Sequence, residues 1–205
     1  MKILCIGRNY RDHISEMKSA LPTKPVFFLK ADSCILNRNR PFFIPTFSSD
    51  IHYEAEIVLR IAKVGKCIET RFAHRYYDAI ALGIDFTARD IQADCKKNGL
   101  PWTEAKSFDG SACMSGFYPL SDFGDIHRLD FSLYKNDIPV QKGNTADMIF
   151  GFDEIISHVS QYMTLKTGDY IYTGTPSGVG NVNIGDRLRG YLGNKSEPVL
   201  DMKIK

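Results

Sequence analysis

The sequence predicts a mixed α/β fold in which short strands dominate. Apolar residues fall mostly in brief runs bounded by Gly, Pro, Asn and Asp, helical spacing is confined to a few segments, and no repeat, low-complexity tract or linker divides the chain. A length of 205 residues suits one domain, 1–205, with a substantial core.

Taken in order, 3–6 reads as a buried strand that Gly7-Arg8-Asn9-Tyr10 turns into a helix over 10–18. Leu21-Pro22-Thr23-Lys24-Pro25 ends that helix, because proline supplies no backbone N–H and clashes with the preceding turn. Helix and proline-rich loop together, residues 8–25, are expected to act as a mobile lid. Extended segments follow at 26–30, 35–36 and 42–44, with Pro41 and Pro45 confining the last to an edge or turn. The main strand spans 54–61. Beyond it the pattern predicts a short helix over 71–77, an apolar strand over 79–86 and a helix over 90–98 that Gly99 and Pro101 stop. The N-terminus of that last helix would aim backbone amides toward Asp85, where an anionic group could be held.

Residues 102–119 read as loop, which puts Lys106 in solvent. A hairpin of 129–134 and 138–142 turns at Lys135-Asn136-Asp137. Ile155, Ile156, Val159 and Met163 recur at helical spacing and predict a helix over 152–163. The segment 166–180 runs from strand into a glycine-rich loop, and strands near 186–192 and 199–204 close the chain. The loop at 174–180 lacks the Lys-Ser/Thr and the following helix of a phosphate loop, so its glycines are read as permitting positive φ and close backbone approach to a ligand.

Composition narrows the function classes. With 43% hydrophobic and 24% charged residues and a net charge of +2, the chain has no electrostatic bias toward nucleic acid or anionic lipid. The N-terminal apolar run is too short for a signal peptide and no later run is long enough to span a bilayer, so no membrane association and a cytoplasmic location are expected. Cys5, Cys34, Cys67, Cys95 and Cys113 are odd in number and widely spaced. They read as free thiols in a reducing compartment, not as a disulfide framework or zinc site.

Candidate chemistry centres on His52-Tyr53-Glu54-Ala55-Glu56. On a strand Glu54 and Glu56 project from one face, while Ala55, Ile57, Leu59 and Ile61 line the other. Two carboxylates that close repel each other unless water, a shared proton or a cation compensates. Asp85 ends a second apolar run, where a lone carboxylate is costly to bury. Three carboxylates without a Cys or His pair form an oxygen-rich set suited to Mg²⁺ or Mn²⁺ rather than zinc. Taken alone, the pattern is more simply read as a solvated face shared with Arg60, and His52 is expected to take no part. His13 and Glu16, three apart on a helix, share a face, and a carboxylate beside an imidazole raises its basicity and fixes its tautomer as a general base requires. An exposed helix face is the plainer reading of the same two residues.

These pieces, taken together, resemble the fumarylacetoacetate hydrolase superfamily, in particular its short single-domain acylpyruvase and 2-oxo acid members. The resemblance rests on Gly7-Arg8-Asn9-Tyr10 with Asp12-His13 and Glu16, Tyr53-Glu54-Ala55-Glu56, Asp85-Phe86-Thr87-Ala88-Arg89-Asp90 and Leu100-Pro101-Trp102. It continues through Lys106-Ser107-Phe108-Asp109-Gly110, Asp147-Met148-Ile149-Phe150, Gly168-Asp169 and the run from Thr173-Gly174-Thr175-Pro176 to Gly180, so it covers nearly the whole chain. Ile84, Arg11 and Ala31 depart from the family's usual residues.

The resemblance implies a β-sandwich roll with a few peripheral helices, usually a homodimer. It implies Glu54, Glu56 and Asp85 as ligands of Mg²⁺ or Mn²⁺, with Ca²⁺ possible, His13 and Glu16 as the catalytic pair on the lid, Lys106 as the active-site lysine, and Arg89, Gln92 and Thr175 as substrate-facing residues. The expected substrate is a small 2-oxo acid. The leading expectation is hydrolysis of the C–C bond of an acylpyruvate, in which His13 deprotonates a water and a pyruvate enolate departs. The alternatives are an isomerase or tautomerase of 2-hydroxy-diene diacids and an oxaloacetate decarboxylase or tautomerase. Last stands a non-enzymatic cation-binding protein, which would have no use for His13, Glu16 and Lys106.

Overall fold

A computed structural model describes residues 1–36 and 40–205 and arranges their strands in three sheets. The chain opens with β1 (Ile3–Gly7), helix α1 (Arg11–Glu16), β2 (Val26–Lys30), β3 (Ile35–Leu36), β4 (Ile51–Tyr53) and β5 (Ala55–Ile61). Helix α2 (Thr70–Ala73), β6 (Tyr77–Asp85), β7 (Thr87–Ala88), α3 (Arg89–Asn98), α4 (Thr103–Lys106), β8 (Ala112–Met114) and β9 (Tyr118–Pro119) follow. The remainder comprises β10 (Asp130–Lys135), β11 (Ile138–Asn144), α5 (Phe152–Tyr162), β12 (Tyr170–Tyr172), β13 (Gly180–Asn181), β14 (Arg187–Leu192) and β15 (Leu200–Lys203).

The large sheet runs β2-β1-β12-β5-β6-β8-β3, with β9 also on β6. A second sheet runs β11-β10-β14-β15 and a small one β13-β4-β7. At the centre, β5 and β6 pair antiparallel from Ala55–Ile84 to Ile61–Tyr77. Both are apolar on their two faces, and such strands are stable only when covered on both sides. One face joins the main core through Ile57, Leu59, Ile80 and Leu82, together with Phe152, Ile155 and Val159 of α5. The other joins a smaller cluster of Val58, Ala81, Ile3, Cys5 and Tyr172. The hairpin is as predicted, turning through Asn136 and Asp137, both at positive φ.

Three expectations are corrected. The main strand does not start at Glu54: the chain leaves the small sheet after Tyr53 and enters the large one at Ala55, with Glu54 at the break and its carbonyl accepting the Asp85 amide at 2.8 Å. The helix expected over 71–77 is limited to α2, because Tyr77 is already paired with Ile61. Residues 102–119 are not loop. The Trp102 carbonyl accepts the amides of Ala105 and Lys106 to form α4, and buried Ala112–Met114 adds β8 beside β6. Lys106 is therefore buried and not in solvent.

The turn that leads into α1 is anchored by Asn9. Its side-chain amide donates to the carbonyls of Thr173 and Phe150 at 2.8 and 3.0 Å, and its Oδ1 accepts the Phe150 amide at 2.8 Å. This single buried side chain ties the segments 7–10, 147–150 and 173–175 together beside the site.

Candidate active site

The register of β5 on β6 sets Ala55 opposite Ile84, which brings Glu54 level with Asp85 at the end of β6 and Glu56 opposite Gly83. Glu54, Glu56 and Asp85 are all buried, and one oxygen from each lies within 4.8 Å of the others. A solvated face shared with Arg60 is excluded, since Arg60 pairs with Asp78 away from them. His52 faces Asp50, with Nε2 to Oδ1 at 2.9 Å, and stays outside the cluster as expected.

Three lysine and arginine side chains offset this negative charge. Lys106 Nζ donates to Glu54 Oε2 at 2.7 Å, Asp85 Oδ2 at 2.8 Å and Thr87 Oγ1 at 2.6 Å. Arg89 donates to Glu54 Oε1 at 2.6 Å. Lys30 Nζ lies 2.8 Å from Asp85 Oδ1, while its donors go to the carbonyls of Lys106, Phe86 and Ser111. Burial alone would raise the Glu54 pKa, but the charges of Lys106 and Arg89 outweigh it and hold Glu54 well below the usual carboxylate range. Among the described residues Glu56 forms no ion pair with a lysine or arginine. Its burial, followed by the adjacent charges of Asp85 and Glu54, drives its pKa well up, opposed by the charge of Lys106 and by the Gly174 amide, which donates to Oε2 at 2.6 Å. That approach depends on glycine: Gly174 holds φ at +100°, and a Cβ there would sit 2.7 Å from Asn9. Burial opposes the charge of Lys106, yet Asp85 and Glu54 keep its pKa raised, so it stays an ammonium.

His13 and Glu16 meet on α1, Nδ1 to Oε2 at 3.0 Å, as their spacing predicts. Glu16 Oε1 also accepts the amide of Gly178 at 3.0 Å, which latches the helix to the glycine-rich loop. Gly178 holds φ at +94° with the Val140 carbonyl where a Cβ would be, so no other residue brings that amide to Glu16 without displacing the loop. Arg89, Gln92, Thr175 and Lys106 line one cavity of about 40 Å³ with His13 and the three carboxylates. Gln92 Oε1 accepts from Arg89 at 2.7 Å and Thr175 Oγ1 from Gln141 at 2.8 Å. The structure thus brings every predicted site residue to one place. The N-terminus of α3 is less open than expected, because the Arg89 amide donates to Asp50 and the Ile91 amide to the Asp90 carboxylate.

A family model described as fumarylacetoacetate (FAA) hydrolase C-terminal matches residues 2–201. The chain belongs to the fumarylacetoacetate hydrolase family. A mitochondrial oxaloacetate tautomerase of Bos taurus is 42% identical over 203 residues, covering 99% of this chain and 90% of the relative. An oxaloacetate tautomerase of Escherichia coli K12 is 38% identical over 188 residues, covering 91% and 86%. The crystal structure of fumarylpyruvate hydrolase from Pseudomonas aeruginosa in complex with Mn²⁺ and pyruvate superposes with a TM-score of 0.94 at 31% identity, covering 100% of this chain and 89% of that one. Enzymes of this family thus include hydrolases and tautomerases on a shared, strand-dominated fold. Among the described residues no helix is long and apolar enough to cross a membrane.

The donor set of this family member fits a hard divalent cation on an observation of its own. Glu56 is buried against Glu54 and Asp85, and among the described residues no lysine or arginine pairs with it, so the cluster keeps one uncompensated carboxylate. A buried carboxylate left in that state is costly, and a cation held among all-oxygen donors satisfies it. The sequence reading missed Lys30, which it placed only as the end of a strand. A lysine closing the apolar run Val26-Phe27-Phe28-Leu29 was the available signal, since such a residue is buried only when its ammonium has partners. Thr87 was also missed, and a lone threonine carries no comparable signal.

Proposed function

We propose that this chain interconverts the keto and enol forms of oxaloacetate in a divalent-cation-dependent reaction. The observation that carries the reading is one cavity in which His13 stands with the carboxylate cluster, Arg89 and Lys106. Keto–enol interconversion needs only a proton moved between carbon, base and oxygen at such a site, with no attacking water to position. The two tautomerase relatives support the same reaction, so acylpyruvate hydrolysis, the leading expectation from the sequence, becomes the second reading. The Pseudomonas aeruginosa neighbour favours it.

Glu54, Glu56 and Asp85 would hold Mg²⁺ or Mn²⁺, which when bound supplies Lewis acidity toward a 2-oxo acid. The chain's own residues supply the rest. With His13 Nδ1 turned to Glu16, Nε2 is the nitrogen available to the cavity. It takes a proton from C3, the C–H electron pair forms the C2–C3 double bond, and the C2 oxygen gains the charge and then the proton that the imidazolium gives up, which restores neutral His13. Glu16 fixes the tautomer and stabilises the imidazolium. Lys106 adds positive charge beside the oxygen through space, because its three donors are engaged by Glu54, Asp85 and Thr87. Arg89 and Gln92 orient the acid, and Thr175 shapes the wall.

In this reading the whole chain works as one catalytic domain, with residues 8–25 as a lid that excludes water. It acts as a homodimer on a small 2-oxo acid, in a cytoplasmic or organellar interior that keeps its five free cysteines reduced. The test is a Mg²⁺-supplemented panel of oxaloacetate, acetylpyruvate, fumarylpyruvate and a 2-hydroxy-diene diacid, followed by enol absorbance and NMR. Accelerated loss of oxaloacetate enol absorbance, faster than turnover of any other member, is expected. Cleavage of acetylpyruvate without acceleration on oxaloacetate would transfer the assignment to the hydrolase.

A further inference from the structure

Two rim cations of the cavity have no part in the chemistry above. Arg8 lines it from the turn after β1 and Lys96 from α3. Arg8 holds φ at +60°, a left-handed backbone that few non-glycine residues adopt. Such strain persists where the surroundings over-determine it, and it gathers at ligand sites. The anchoring of its neighbour Asn9 to residues 150 and 173 fixes Arg8 in this way. Lys96 sits at the mouth of the cavity with Nζ 5.6 Å from the centroid of Trp102. Burial of its stem and the charges of Arg89 and Arg8 hold its ammonium below the usual lysine range, which puts these cations within electrostatic reach of one another. Among the described residues neither Arg8 nor Lys96 forms an ion pair, whereas Arg89 is paired with Glu54 and Lys106 with Glu54 and Asp85. Cations gathered on a cavity without a protein counter-charge raise the local concentration of anions.

We propose that Arg8 and Lys96 form the subsite for the second carboxylate of the substrate, and so make the enzyme select 2-oxo dicarboxylates over 2-oxo monocarboxylates. The inference rests on the reading above for the position of the 2-oxo acid head. Arg89, held by Glu54 and Gln92, is assigned to the head of the acid in that reading, which leaves the distal carboxylate to Arg8 and Lys96. Arg8 offers a planar fork to a carboxylate and Lys96 a flexible point charge.

The test measures binding of oxaloacetate and of pyruvate, which lacks only the second carboxylate, to the Mg²⁺-loaded full chain by calorimetry. Arg8→Gln and Lys96→Gln are each expected to weaken oxaloacetate about 10- to 100-fold, the effect of a lost charge-assisted hydrogen bond, and to leave pyruvate unchanged. Arg8→Lys should recover part of the loss, and Lys97→Gln, one residue along the same helix, should have no effect. Equal losses for both ligands, or no loss for either, would overturn the subsite. Wild-type protein that prefers the dicarboxylate without accelerating its tautomerisation would uphold the subsite and remove the proposed reaction. Tautomerisation of oxaloacetate with unaltered binding in both variants would do the opposite.

Discussion

The floor of the site and the short helix over it are built on opposite principles. The floor lies at the ends of β5 and β6, its carboxylates are at most 5% exposed, and each of its charges except that of Glu56 faces an opposite charge. Helix α1, proposed above as part of a lid, is six residues long, has no side-chain N-cap, and is held by buried Ile14 and the Glu16–Gly178 latch. So short a helix is marginal by itself and relies on tertiary contacts. The difference separates two tasks. In the proposed reaction, charge is preorganised on the central strands and the proton-transferring group is carried on a short helix that depends on its latch.

The largest effect expected on that contrast comes from the floor. Asp85→Asn should lower activity about 10³-fold and destabilise the fold by about 3 kcal/mol, because Lys30 and Lys106 then lose a buried counter-charge. Activity assays, Mg²⁺ titration and thermal melts check this, and a variant of wild-type stability would show that the floor is not held by charge pairing. A smaller and more selective effect is expected on the lid. His13→Ala should reduce kcat about 10²-fold with Mg²⁺ affinity and melting temperature unchanged. Weaker Mg²⁺ binding in this variant would break the division, since it would make the lid part of the floor.

The smallest effect concerns pH and sharpens the contrast within the floor. Burial and the neighbouring carboxylates raise the folded pKa of Glu56 above its unfolded value, so its contribution to stability is present below the unfolded pKa and is lost as pH rises through the folded one. Glu54, whose folded pKa is depressed, behaves in the opposite sense and loses its contribution only as pH falls through that depressed value. Metal-free protein should therefore melt at lower temperature as pH rises above the ordinary carboxylate range, and Mg²⁺ should abolish the decline. A pH-independent melt without Mg²⁺ would refute this account of Glu56.

Much of this arrangement is legible in the letters. Period-two alternation around Glu54 and Glu56 and the apolar run ending at Asp85 locate the carboxylates, and the spacing of His13 and Glu16 locates their contact. What escapes is long-range pairing. Nothing in the local pattern of 102–119 shows that Ala112 will pair with Asp85, because three short apolar residues fit loop and strand equally. The burial of Lys106 follows from that pairing and is invisible without it. The break at Glu54 is missed for a related reason: a run of alternating residues cannot reveal that its first part belongs to another sheet. The choice among reactions escapes for a chemical reason, since one set of acids and bases serves several fates of the same enolate.

Lys30 carries an implication for how such an enzyme can change. One ammonium gathers the carbonyls of Phe86, Lys106 and Ser111 and stands beside Asp85, so residues scattered from 30 to 111 are clasped at a single atom. In the proposed reaction the site beside Asp85 is then complete only when these segments have met. Diversification toward new substrates must leave that clasp untouched and proceed at the periphery, where replacing a side chain alters what is recognised without undoing the molecule.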